Sequence, residues 1–439
     1  MSKNDFENQL AKKIRTRRAK IAVIGLGYAG LPLAHAFAEK GFRVTGIDID
    51  GKRIRAIREG RSFTGDLSSA ALKKVLRRGT LRAVADYDPL EEMDVVIVCV
   101  PTPLNRFKDP DISYIVSASE AIQKRLHSGE LVILESTTYP GTTEEVILPS
   151  LEKSGLKVGQ DFFLCFSPER IDPGNPDFKT QNIPKVVGGV TPACSRLGSA
   201  LYGNITTEVV TVSSSRTAEM AKLLENTFRI VNIGMINELA RAASNLKVNI
   251  WEVIDAAKTK PFGFMPFYPG PGIGGHCIGV DPIYLSWKAR LHGSDLHFIE
   301  LARRINAEMP HYVVSQAVHA LNKHLGKAAS RSKVLVLGVS YKRDVADTRE
   351  SPALDILQEL KRLGAAAAYH DPYVPRLVSP SLDLKSQPLT PAVLKKQDLV
   401  ILTTDHSCFN HKMIVQNSRL IYDTRNSLKQ YSLPHIVRF

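Results

Sequence analysis

The sequence predicts an α/β protein in which two doubly wound domains are joined by a long central helical segment. Strand and helix patterns alternate over residues 20–48, as they do in a βαβ unit. The run DVVIVCV at residues 94–100 is almost continuously apolar, which is typical of a parallel strand buried on both faces. Strand patterns resume with KVLVLG at residues 333–338, after a long stretch that has none. Two α/β halves on either side of a helical segment account for this order.

The elements of the first half can be assigned in turn. Ile21–Ile24 is a short strand-like run, and Leu31–Lys40 is a helix that ends at Gly41. Arg43–Asp48 forms the second strand, and Leu131–Glu135 repeats the strand pattern after a polar helix. Strands that alternate with helices in this way favour a parallel sheet.

The middle of the chain is predicted to be helical. Residues 214–258 lack strand patterns, and their apolar side chains recur at helical spacing. The simplest interpretation is a linker helix packed on both domains, but a helix this long also offers a homodimer face. A glycine- and proline-rich loop follows over residues 261–282, and helices resume until about residue 327. Later strands are expected near residues 366–370, 398–404 and 420–423.

Length and composition set the domain count and the class of protein. A chain of 439 residues is too long for one core, and its 44% apolar content can build large cores without disulfides or structural metals. We predict an N-terminal α/β domain over residues 1–212 and a central helical domain over residues 213–328. A second α/β domain is predicted over residues 329–439.

The cysteines and the apolar runs indicate the compartment. The five cysteines form no C-x-x-C pair and no Cys/His cluster, so no metal is expected. No uncharged apolar run reaches the ~18 residues that span a membrane. The basic N-terminus leads into a strand rather than into the apolar core of a signal peptide. We therefore expect a cytoplasmic protein without a membrane partner.

The formal charge of +14 is compatible with nucleic acid or with a small polyanionic substrate. The basic residues are spread along the chain, and no helix carries clustered arginines. No basic stretch is interleaved with aromatic residues either. We therefore expect no nucleic-acid partner.

Gly25, Gly27 and Gly30 form a G-x-G-x-x-G sequence directly after the first strand. The bare pattern is weak, but here it opens a helix, and Asp48 ends the next strand near the ~20-residue offset of a ribose-binding acid. The glycines let the backbone approach a pyrophosphate, whose charge the helix N-terminus stabilises. A carboxylate at Asp48 would repel a 2′-phosphate, so a Rossmann-like domain that binds NAD rather than NADP is predicted. The alternative is a glycine turn that binds no dinucleotide.

The second half lacks such a fingerprint, which indicates that the two halves bind different ligands. Between them, residues 270–284 (GPGIGGHCIGVDPIY) surround Cys277 with glycine and proline. A single cysteine is most often a small buried hydrophobe, and we interpret the other four in that way: Cys99, Cys165, Cys194 and Cys408. Cys277 differs because it follows His276 and precedes Asp281 by four residues, where a thiolate could act as a nucleophile.

Three motifs in this order resemble the UDP-glucose/GDP-mannose dehydrogenase family. They are the glycine fingerprint, the loop G-G-H-C-I-x-x-D-P, and G-x-x-Y-K-x-x-x-x-D-x-R-E-S at residues 338–351. The resemblance extends over about residues 20–430. The loop and the segment SPERIDPGN at residues 167–175 are most similar to the branch that acts on UDP-N-acetylhexosamines.

The resemblance implies two successive hydride transfers to NAD⁺, with Cys277 as the covalent nucleophile. The C6 alcohol of the sugar becomes an aldehyde, then a thiohemiacetal on Cys277, then a thioester that water hydrolyses to the acid. A covalent adduct retains the reactive aldehyde while NADH is exchanged for NAD⁺.

The resemblance also implies the roles of the helper residues. Lys222 and Asn226 lie four apart, on one helix face, where the family has an oxyanion-stabilising Lys and an Asn. Without the resemblance, a solvated helix face is the expected place for Lys222. Glu169 matches an acid that could activate the hydrolytic water, Asp281 a base or water-orienting acid, and Thr138 a threonine near the reacting carbon.

Cofactor and substrate contacts follow from the same resemblance. The cofactor residues are predicted to be Gly25, Gly27, Tyr28, Ala29, Gly30, Asp48, Arg53, Thr102 and Arg349. The UDP-sugar residues, mainly from the second half, are predicted to be Arg170, Lys222, Asn226, Tyr268, Gly274, Tyr341, Lys342 and Arg425. Taken without the motifs, each of these basic side chains could be an ordinary surface charge.

The sequence departs from the UDP-glucose pattern at two prolines and one valine near these motifs. Pro173 replaces a second Glu, Val280 replaces a Lys, and Pro261 replaces an Arg that in some members reaches across the dimer. A shared active site is therefore not assumed. The aromatic loop at residues 262–271 could form an apolar wall for an acetamido methyl group.

The resemblance implies a UDP-sugar 6-dehydrogenase with UDP-N-acetylglucosamine as the favoured substrate, and the long central helix favours a homodimer. UDP-glucose, the manno and galacto epimers and, less favoured, GDP-mannose remain alternative substrates. A non-catalytic NAD-binding regulatory protein is the alternative from another class. The presence of the whole predicted catalytic set argues against it.

Overall fold

The computed structural model describes residues 3–172, 175, 178 and 181–439, and for Lys3, Asn4, His276 and Cys277 it describes the backbone only. The chain divides into two compact units. The first comprises Met1–Glu225 with Ile283–Ser294, and the second comprises Asn226–Pro282 with Asp295–Phe439. Two of the three boundaries fall inside helices, and the three-domain division proposed from the sequence stays a prediction.

The first unit is built on an eight-stranded sheet of order β3-β2-β1-β4-β5-β6-β7-β8. Neighbouring strands run parallel except for β6 and β7, which are antiparallel. The strands are β1 Lys20–Ile24, β2 Arg43–Ile47, β3 Leu81–Val84, β4 Val95–Val98, β5 Leu131–Leu134, β6 Phe163–Phe166, β7 Lys185–Gly189 and β8 Val209–Val212.

Helices cover both faces of this sheet. They are α1 Lys3–Arg15, α2 Gly30–Glu39, α3 Gly51–Arg58, α4 Ser69–Arg77, α5 Ser113–Gln123, α6 Leu148–Glu152 and α7 Pro192–Tyr202. Successive residues of β1 enter opposite cores, with Ile21 and Val23 on one face and Ala22 and Ile24 on the other. This double burial explains why the central strands are apolar without alternation, as predicted.

Two helices run from one unit into the other. They are α8 Ser215–Asn245, and α10 His276–Leu291, which follows α9 Ile250–Ala257. The predicted helical stretch is therefore real, although it breaks where Lys247 adopts a φ of 57° and Asn249 caps α9. The predicted extent of the following loop is wrong, because α10 already begins at His276 and contains Pro282. A proline removes one backbone donor, and here the helix continues around it.

The second unit contains a five-stranded parallel sheet of order β10-β9-β13-β14-β15 and an antiparallel β11-β12 hairpin. Its strands are β9 Lys333–Leu337, β10 Ala366–His370, β11 Arg376–Ser379, β12 Leu382–Lys385, β13 Leu399–Leu402, β14 Ile421–Asp423 and β15 Ile436–Arg438. The remaining helices are α11 His297–Leu325, α12 Pro352–Arg362, α13 Pro391–Lys395 and α14 His411–Asn417. Two α/β units with helical connections confirm the predicted fold class.

Candidate active site

The glycine fingerprint forms a tight turn between β1 and α2. A Cβ on Gly25, whose φ is 90°, would lie 2.4 Å from the Cys99 carbonyl oxygen. A Cβ on Gly30 would lie 1.8 Å from the Gly25 carbonyl oxygen, so both positions require glycine. A Cβ on Gly27 would meet no described atom within 4 Å. The turn is therefore tightly packed at Gly25 and Gly30 but open at Gly27, next to the helix N-terminus, where a pyrophosphate would fit.

Asp48, at the end of β2, is fastened to this turn. Its Oδ2 accepts hydrogen bonds from the Leu26 backbone N–H at 2.8 Å and from Arg53 Nη1 at 2.9 Å. Its Oδ1 accepts from the Asp50 N–H at 2.9 Å. The carboxylate is thus held beside the turn, where an acid binds a ribose hydroxyl. The predicted Tyr28 and Ala29 lie within the turn itself, and Tyr28 is exposed.

Thr102 lies in the loop after β4, at the carboxyl edge of the same sheet. Tyr284 of α10 donates its hydroxyl hydrogen bond to the neighbouring Pro103 carbonyl at 3.1 Å. This hydrogen bond attaches the loop after β4 to α10 within the first unit. Thr102 itself is half-buried.

Thr138 lies in the loop after β5 and is buried, with its hydroxyl 2.6 Å from that of Thr142. Glu219 of α8 anchors this loop by accepting from the Gly141 N–H at 2.5 Å and from the Thr143 N–H at 2.9 Å. Burial raises the pKa of Glu219 to about 7 despite these donors. Glu219 was not predicted, although it lies one helical turn before Lys222 on α8.

Lys222 and Asn226 lie one turn apart on α8, and both are buried. The solvated helix face that a lysine would ordinarily occupy is therefore excluded for Lys222. Asn226 Nδ2 donates a hydrogen bond of 2.5 Å to Asp281 Oδ2, and Asp281 is also buried. Asp281 lies on α10, the helix that begins at His276. The structure thus joins two of the predicted catalytic residues directly.

The Cys277 side chain lies outside the described part of the structure, and Pro173 and Gly174 lie outside it entirely. The backbone places Cys277 in the first turn of α10, four residues before Asp281. Among the other cysteines, Cys165 and Cys194 are buried as predicted. Cys99 is only partly buried, and the interpretation is wrong for Cys408, which is exposed in a surface turn.

Glu169 follows β6 and belongs to a buried charged cluster. Its Oε1 accepts from the backbone N–H groups of Arg170 and Ile171, each at 2.7 Å. Its Oε2 lies 3.6 Å from Nζ of Lys185, which also forms an ion pair with Glu135. Neither Lys185 nor Glu135 was predicted, and the only sequence signal is a charge at the edge of an apolar strand.

Arg170, predicted to contact the substrate, is engaged within the first unit. Its Nη1 donates to the Pro184 carbonyl at 2.7 Å, and its Nη2 lies 2.7 Å from Glu225 Oε1. Both of these hydrogen-bond partners belong to the protein itself. Arg170 therefore braces the segment after β6, and its substrate contact stays a prediction.

In the second unit, the glycine-rich loop before Cys277 packs closely on predicted substrate residues. A Cβ on Gly274 would lie 2.6 Å from the Tyr341 Cβ, and one on Gly270 would lie 2.6 Å from Arg425 Nη1. Burial lowers the pKa of Arg425 to about 10, and its Nε donates to the Thr403 carbonyl at 2.8 Å. The glycines are thus needed for close approach of the loop to Tyr341 and Arg425.

The other predicted residues of this unit are less enclosed. Arg349 pairs with Asp347 through Nε and Nη2, at 2.9 and 2.5 Å. Lys342 is half-buried, and Tyr268 is exposed with its ring stacked on Trp251 at 6.2 Å. A cationic, partly open surface of this kind is suited to a phosphorylated ligand.

Comparison with known proteins identifies the family. The family models of the UDP-glucose/GDP-mannose dehydrogenases match in chain order, the NAD binding domain at residues 19–206, the central domain at 216–308 and the UDP binding domain at 335–430. The chain belongs to the UDP-glucose/GDP-mannose dehydrogenase family. It is an NAD-dependent oxidoreductase whose substrate is a UDP-sugar.

Relatives with named substrates include acetamido-sugar enzymes. A UDP-N-acetyl-D-glucosamine 6-dehydrogenase of Pseudomonas aeruginosa is 43% identical over 360 residues, covering 81% of this chain and 83% of the relative. A UDP-N-acetyl-D-mannosamine dehydrogenase of Pyrococcus horikoshii is 36% identical over 425 residues, covering 95% and 98%. A solved UDP-D-ManNAc dehydrogenase from the same organism has a TM-score of 0.86 at 34% identity, covering 95% and 98% of the two chains.

The residues described above fit NAD. Open space at Gly27 and the N-terminus of α2 would hold the pyrophosphate, and Asp48, bonded to the Leu26 N–H, would accept from a ribose hydroxyl. None of the helices described is long and apolar enough to cross a membrane.

Proposed function

We propose that the chain is a UDP-N-acetylglucosamine 6-dehydrogenase that oxidises the sugar C6 alcohol twice and releases a uronic acid. The observation that carries the proposed mechanism is the 2.5 Å hydrogen bond from Asn226 to Asp281. Within the second unit it joins the part of α8 that carries Asn226 to the part of α10 whose first turn contains Cys277. A polar pair held four residues after a nucleophile is suited to covalent catalysis.

When bound, NAD⁺ would accept the hydride in both oxidations. In the first, the hydroxyl proton of the alcohol passes to the Asp281 carboxylate, the C6 hydride is lost, and Lys222 stabilises the developing alkoxide. The Cys277 thiolate then adds to the aldehyde carbon, forming a C–S bond. Loss of a second hydride leaves a thioester.

Hydrolysis completes the sequence. A water oxygen attacks the thioester carbon, its proton passes to Glu169, the C–S bond breaks and Cys277 leaves as the thiolate. Asn226 and Asp281 orient the polar groups around this carbon, and Thr138 contributes a hydroxyl near it. Electrostatic stabilisation of the tetrahedral oxyanion by Lys222 acts in this step as well.

The choice of N-acetylglucosamine is supported by the 43% identical relative of that name and by the exposed aromatic residues of the 262–271 loop. The mannosamine enzymes, one of them 36% identical over nearly the whole chain, favour the C2 epimer as a second candidate. An apolar wall beside an amide-binding site would accept either acetamido sugar before UDP-glucose.

The deciding experiment follows NADH at 340 nm with UDP-N-acetylglucosamine, its galacto and manno epimers, UDP-glucose and GDP-mannose. We expect the highest kcat/KM with UDP-N-acetylglucosamine and two NADH per sugar. Preference for an epimer would correct the configuration, and preference for UDP-glucose would overturn the sugar assignment. NAD binding without turnover of any nucleotide sugar would support the regulatory alternative.

We also propose a homodimer formed through α8. Several of its apolar side chains are exposed along the helix, namely Met220, Leu224, Phe228, Met235 and Leu239. A row of this kind on a soluble protein marks an interaction surface. Sedimentation equilibrium should give twice the chain mass, and Leu224→Lys should shift it toward the monomer. A reducing, cytoplasmic compartment fits an enzyme that depends on a free thiolate.

A further inference from the structure

Three charged side chains of the first unit are buried together at the carboxyl edge of its sheet. The exposed fractions are 1% for Glu135, 8% for Lys185 and 18% for Glu169. Burying a charge is costly unless it is paired and hydrogen-bonded. Because the cluster includes Glu169, a predicted catalytic acid, we looked for a role of the other two residues in catalysis.

Strand direction explains how Lys185 arrives there. Glu135 and Glu169 follow the carboxyl ends of the parallel strands β5 and β6. Strand β7 runs antiparallel to β6, with Phe166 opposite Gly188, so its amino end lies at that same edge. Counting outward from this pair, 167↔187 and 168↔186 lead to 169↔185. The reversal of one strand thus sets a lysine opposite Glu169.

The contacts of Glu169 leave one oxygen available. Two backbone N–H groups hold Oε1, whereas Oε2 is buried and has no hydrogen-bond donor among the described residues. The nearest cation to Oε2 is the Lys185 ammonium at 3.6 Å. A carboxylate fixed through one oxygen, whose second oxygen is enclosed and lacks a donor, keeps that second oxygen as the place where a proton can be accepted.

The other members of the cluster hold Lys185 in place. Glu135 forms an ion pair with the ammonium and accepts a hydrogen bond from the Tyr202 hydroxyl. The ammonium also lies 5.1 Å from the centre of the Tyr202 ring. Lys185 is therefore committed to this site from three sides and cannot reach bulk solvent.

The charges that face Glu169 favour its ionised form. Burial opposes ionisation, but Lys185 and the two backbone donors outweigh it and lower the pKa of Glu169. Burial raises the pKa of Glu135 to about 7, against the attraction of Lys185. The Cys99 thiol and the Tyr202 hydroxyl also face the cluster, and burial raises the pKa of both, so neither adds a charge at neutral pH. From α8, Glu225 approaches and is paired with the Arg170 guanidinium.

We propose that Lys185 is a positioning residue for thioester hydrolysis, holding the Glu169 carboxylate charged and aligned between itself and the backbone donors. The proposal rests on the role proposed above for Glu169 as the acceptor of the water proton. The hydride transfers do not use Glu169, so Lys185 affects the last step and leaves the first two intact.

Removing the ammonium would change the state of the site. Glu135 and Glu169 would then face each other without an intervening cation, and two adjacent buried carboxyl groups cannot both remain ionised. One of them would hold a proton at neutral pH. Glu169 would lose its capacity as a base over the pH range in which the wild type works.

The kinetic test is a rapid-mixing measurement on Lys185→Met with saturating NAD⁺ and UDP-sugar. We expect a burst of two NADH per active site at the wild-type rate, followed by a steady state at least ~10-fold slower. The acidic limb of the steady-state pH profile should move upward by about one unit or more, as expected when a charge partner within ~4–6 Å is lost. A merely structural role would lower the burst and leave the pH profile unmoved.

Two further variants keep the test decisive if the first one folds poorly. Lys185→Arg retains the cation and should retain the wild-type pH profile. The double variant Lys185→Met/Glu135→Gln removes the opposing carboxylate as well, so its acidic limb should return toward the wild-type position. A double variant with the same profile as Lys185→Met would overturn the proposal.

An activity-independent readout separates this proposal from the proposed function. The ¹³C carboxyl resonance of Glu169, assigned with Glu169→Gln, is titrated in the holoenzyme and in Lys185→Met with NAD⁺ bound. We expect its midpoint to rise in the variant. An unchanged midpoint would overturn the electrostatic role of Lys185 even if turnover is slowed. A shifted midpoint in a protein that oxidises no UDP-sugar would contradict the proposed function and support the electrostatic role.

Discussion

The two α/β units use the same turn and acid for different purposes. In the first, the Gly25 N–H donates to the Ile47 carbonyl at 2.7 Å. In the second, the Gly338 N–H donates to the His370 carbonyl at 2.9 Å. Both glycines have positive φ, and a Cβ on Gly338 would lie 2.2 Å from the Thr404 carbonyl oxygen. Each sheet therefore opens with the same strand–glycine turn.

The acid at the end of the second strand is also repeated. Asp371 accepts from the Val339 N–H at 2.8 Å, as Asp48 does from the Leu26 N–H. However, Asp371 also bonds the Ser340 hydroxyl and the fully buried His406, each at 3.0 Å. The hydrogen bonds of Asp371 are therefore made to buried groups of its own unit, whereas Asp48 pairs with the partly exposed Arg53.

The helices that follow the two turns differ as well. Helix α2 begins at Gly30, five residues after Gly25 (30 − 25), but α12 begins at Pro352, fourteen residues after Gly338 (352 − 338). Only the short turn leads directly into a helix N-terminus, which would stabilise a pyrophosphate. The longer one carries the predicted substrate residues Tyr341 and Lys342. The two units thus share a strand–glycine turn, and the length of the following loop and the partners of the acid fit them to different ligands.

The largest effect on activity is expected from a substitution of Cys277, which lies outside both glycine turns. Cys277→Ser should abolish net acid formation, because a serine hydroxyl is a far weaker nucleophile than a thiolate. NAD⁺ affinity, measured by calorimetry, should stay unchanged because the fingerprint lies in the first unit. More than a few per cent of wild-type turnover would contradict covalent catalysis by Cys277.

Lys222→Ala should lower kcat by ~10²–10³-fold with a smaller rise in KM, as for loss of one oxyanion donor. Steady-state kinetics with the preferred UDP-sugar measures both constants. Lys222→Arg is the matched control because it keeps the cation with altered geometry. A rise in KM alone would make Lys222 a binding residue and not a catalytic one.

Three alanine substitutions sharpen the comparison of the turns. Gly25→Ala and Gly338→Ala should each destabilise the fold by roughly 1–3 kcal/mol, because a side chain there strains the backbone at positive φ. Gly27→Ala should leave the free energy of unfolding nearly unchanged but weaken NAD⁺ binding. Urea unfolding and calorimetry distinguish the two classes. Strong destabilisation by Gly27→Ala would contradict the conclusion that a side chain at Gly27 meets open space.

A matched pair of acid substitutions is expected to have smaller, opposite signatures. Asp48→Asn should reduce the preference for NAD⁺ over NADP⁺ about tenfold or more, since a like-charge contact costs several kcal/mol. Asp371→Asn should leave that preference intact and lower stability by about 1–3 kcal/mol, because it disturbs a buried network. Equal kcat/KM values of the wild type for both cofactors would contradict the role of Asp48.

Stability at low pH gives an independent check on Asp371. Burial opposes its ionisation, but His406 and the backbone donors outweigh it and lower its pKa from 3.8 to about 2. A lowered pKa means that its stabilisation is present above pH 3.8 and is lost as the pH falls toward 2. Asp371→Asn should therefore remove part of the acid sensitivity between those pH values. An unchanged pH dependence would contradict this assignment.

Local patterns were sufficient for much of this molecule. The apolar run at residues 94–100 predicted a strand buried on both faces, and β4 is such a strand. The fingerprint and the ordered motifs predicted the family, which the domain matches show. The start of α10 was not predicted, because the glycines and prolines before it and Pro282 within it indicate a loop. Tertiary packing overrode that local preference.

The sequence by itself therefore determined the α/β halves, the cofactor turn and the family, because each depends on residue order over short distances. Only the tertiary structure decided that Lys222 is buried and that Asn226 binds Asp281, 55 residues away. It also decided that Lys185 meets Glu135, 50 residues away, and lies opposite Glu169. Such contacts depend on strand order and on the reversal of one strand. Periodicity along the chain carries no record of either.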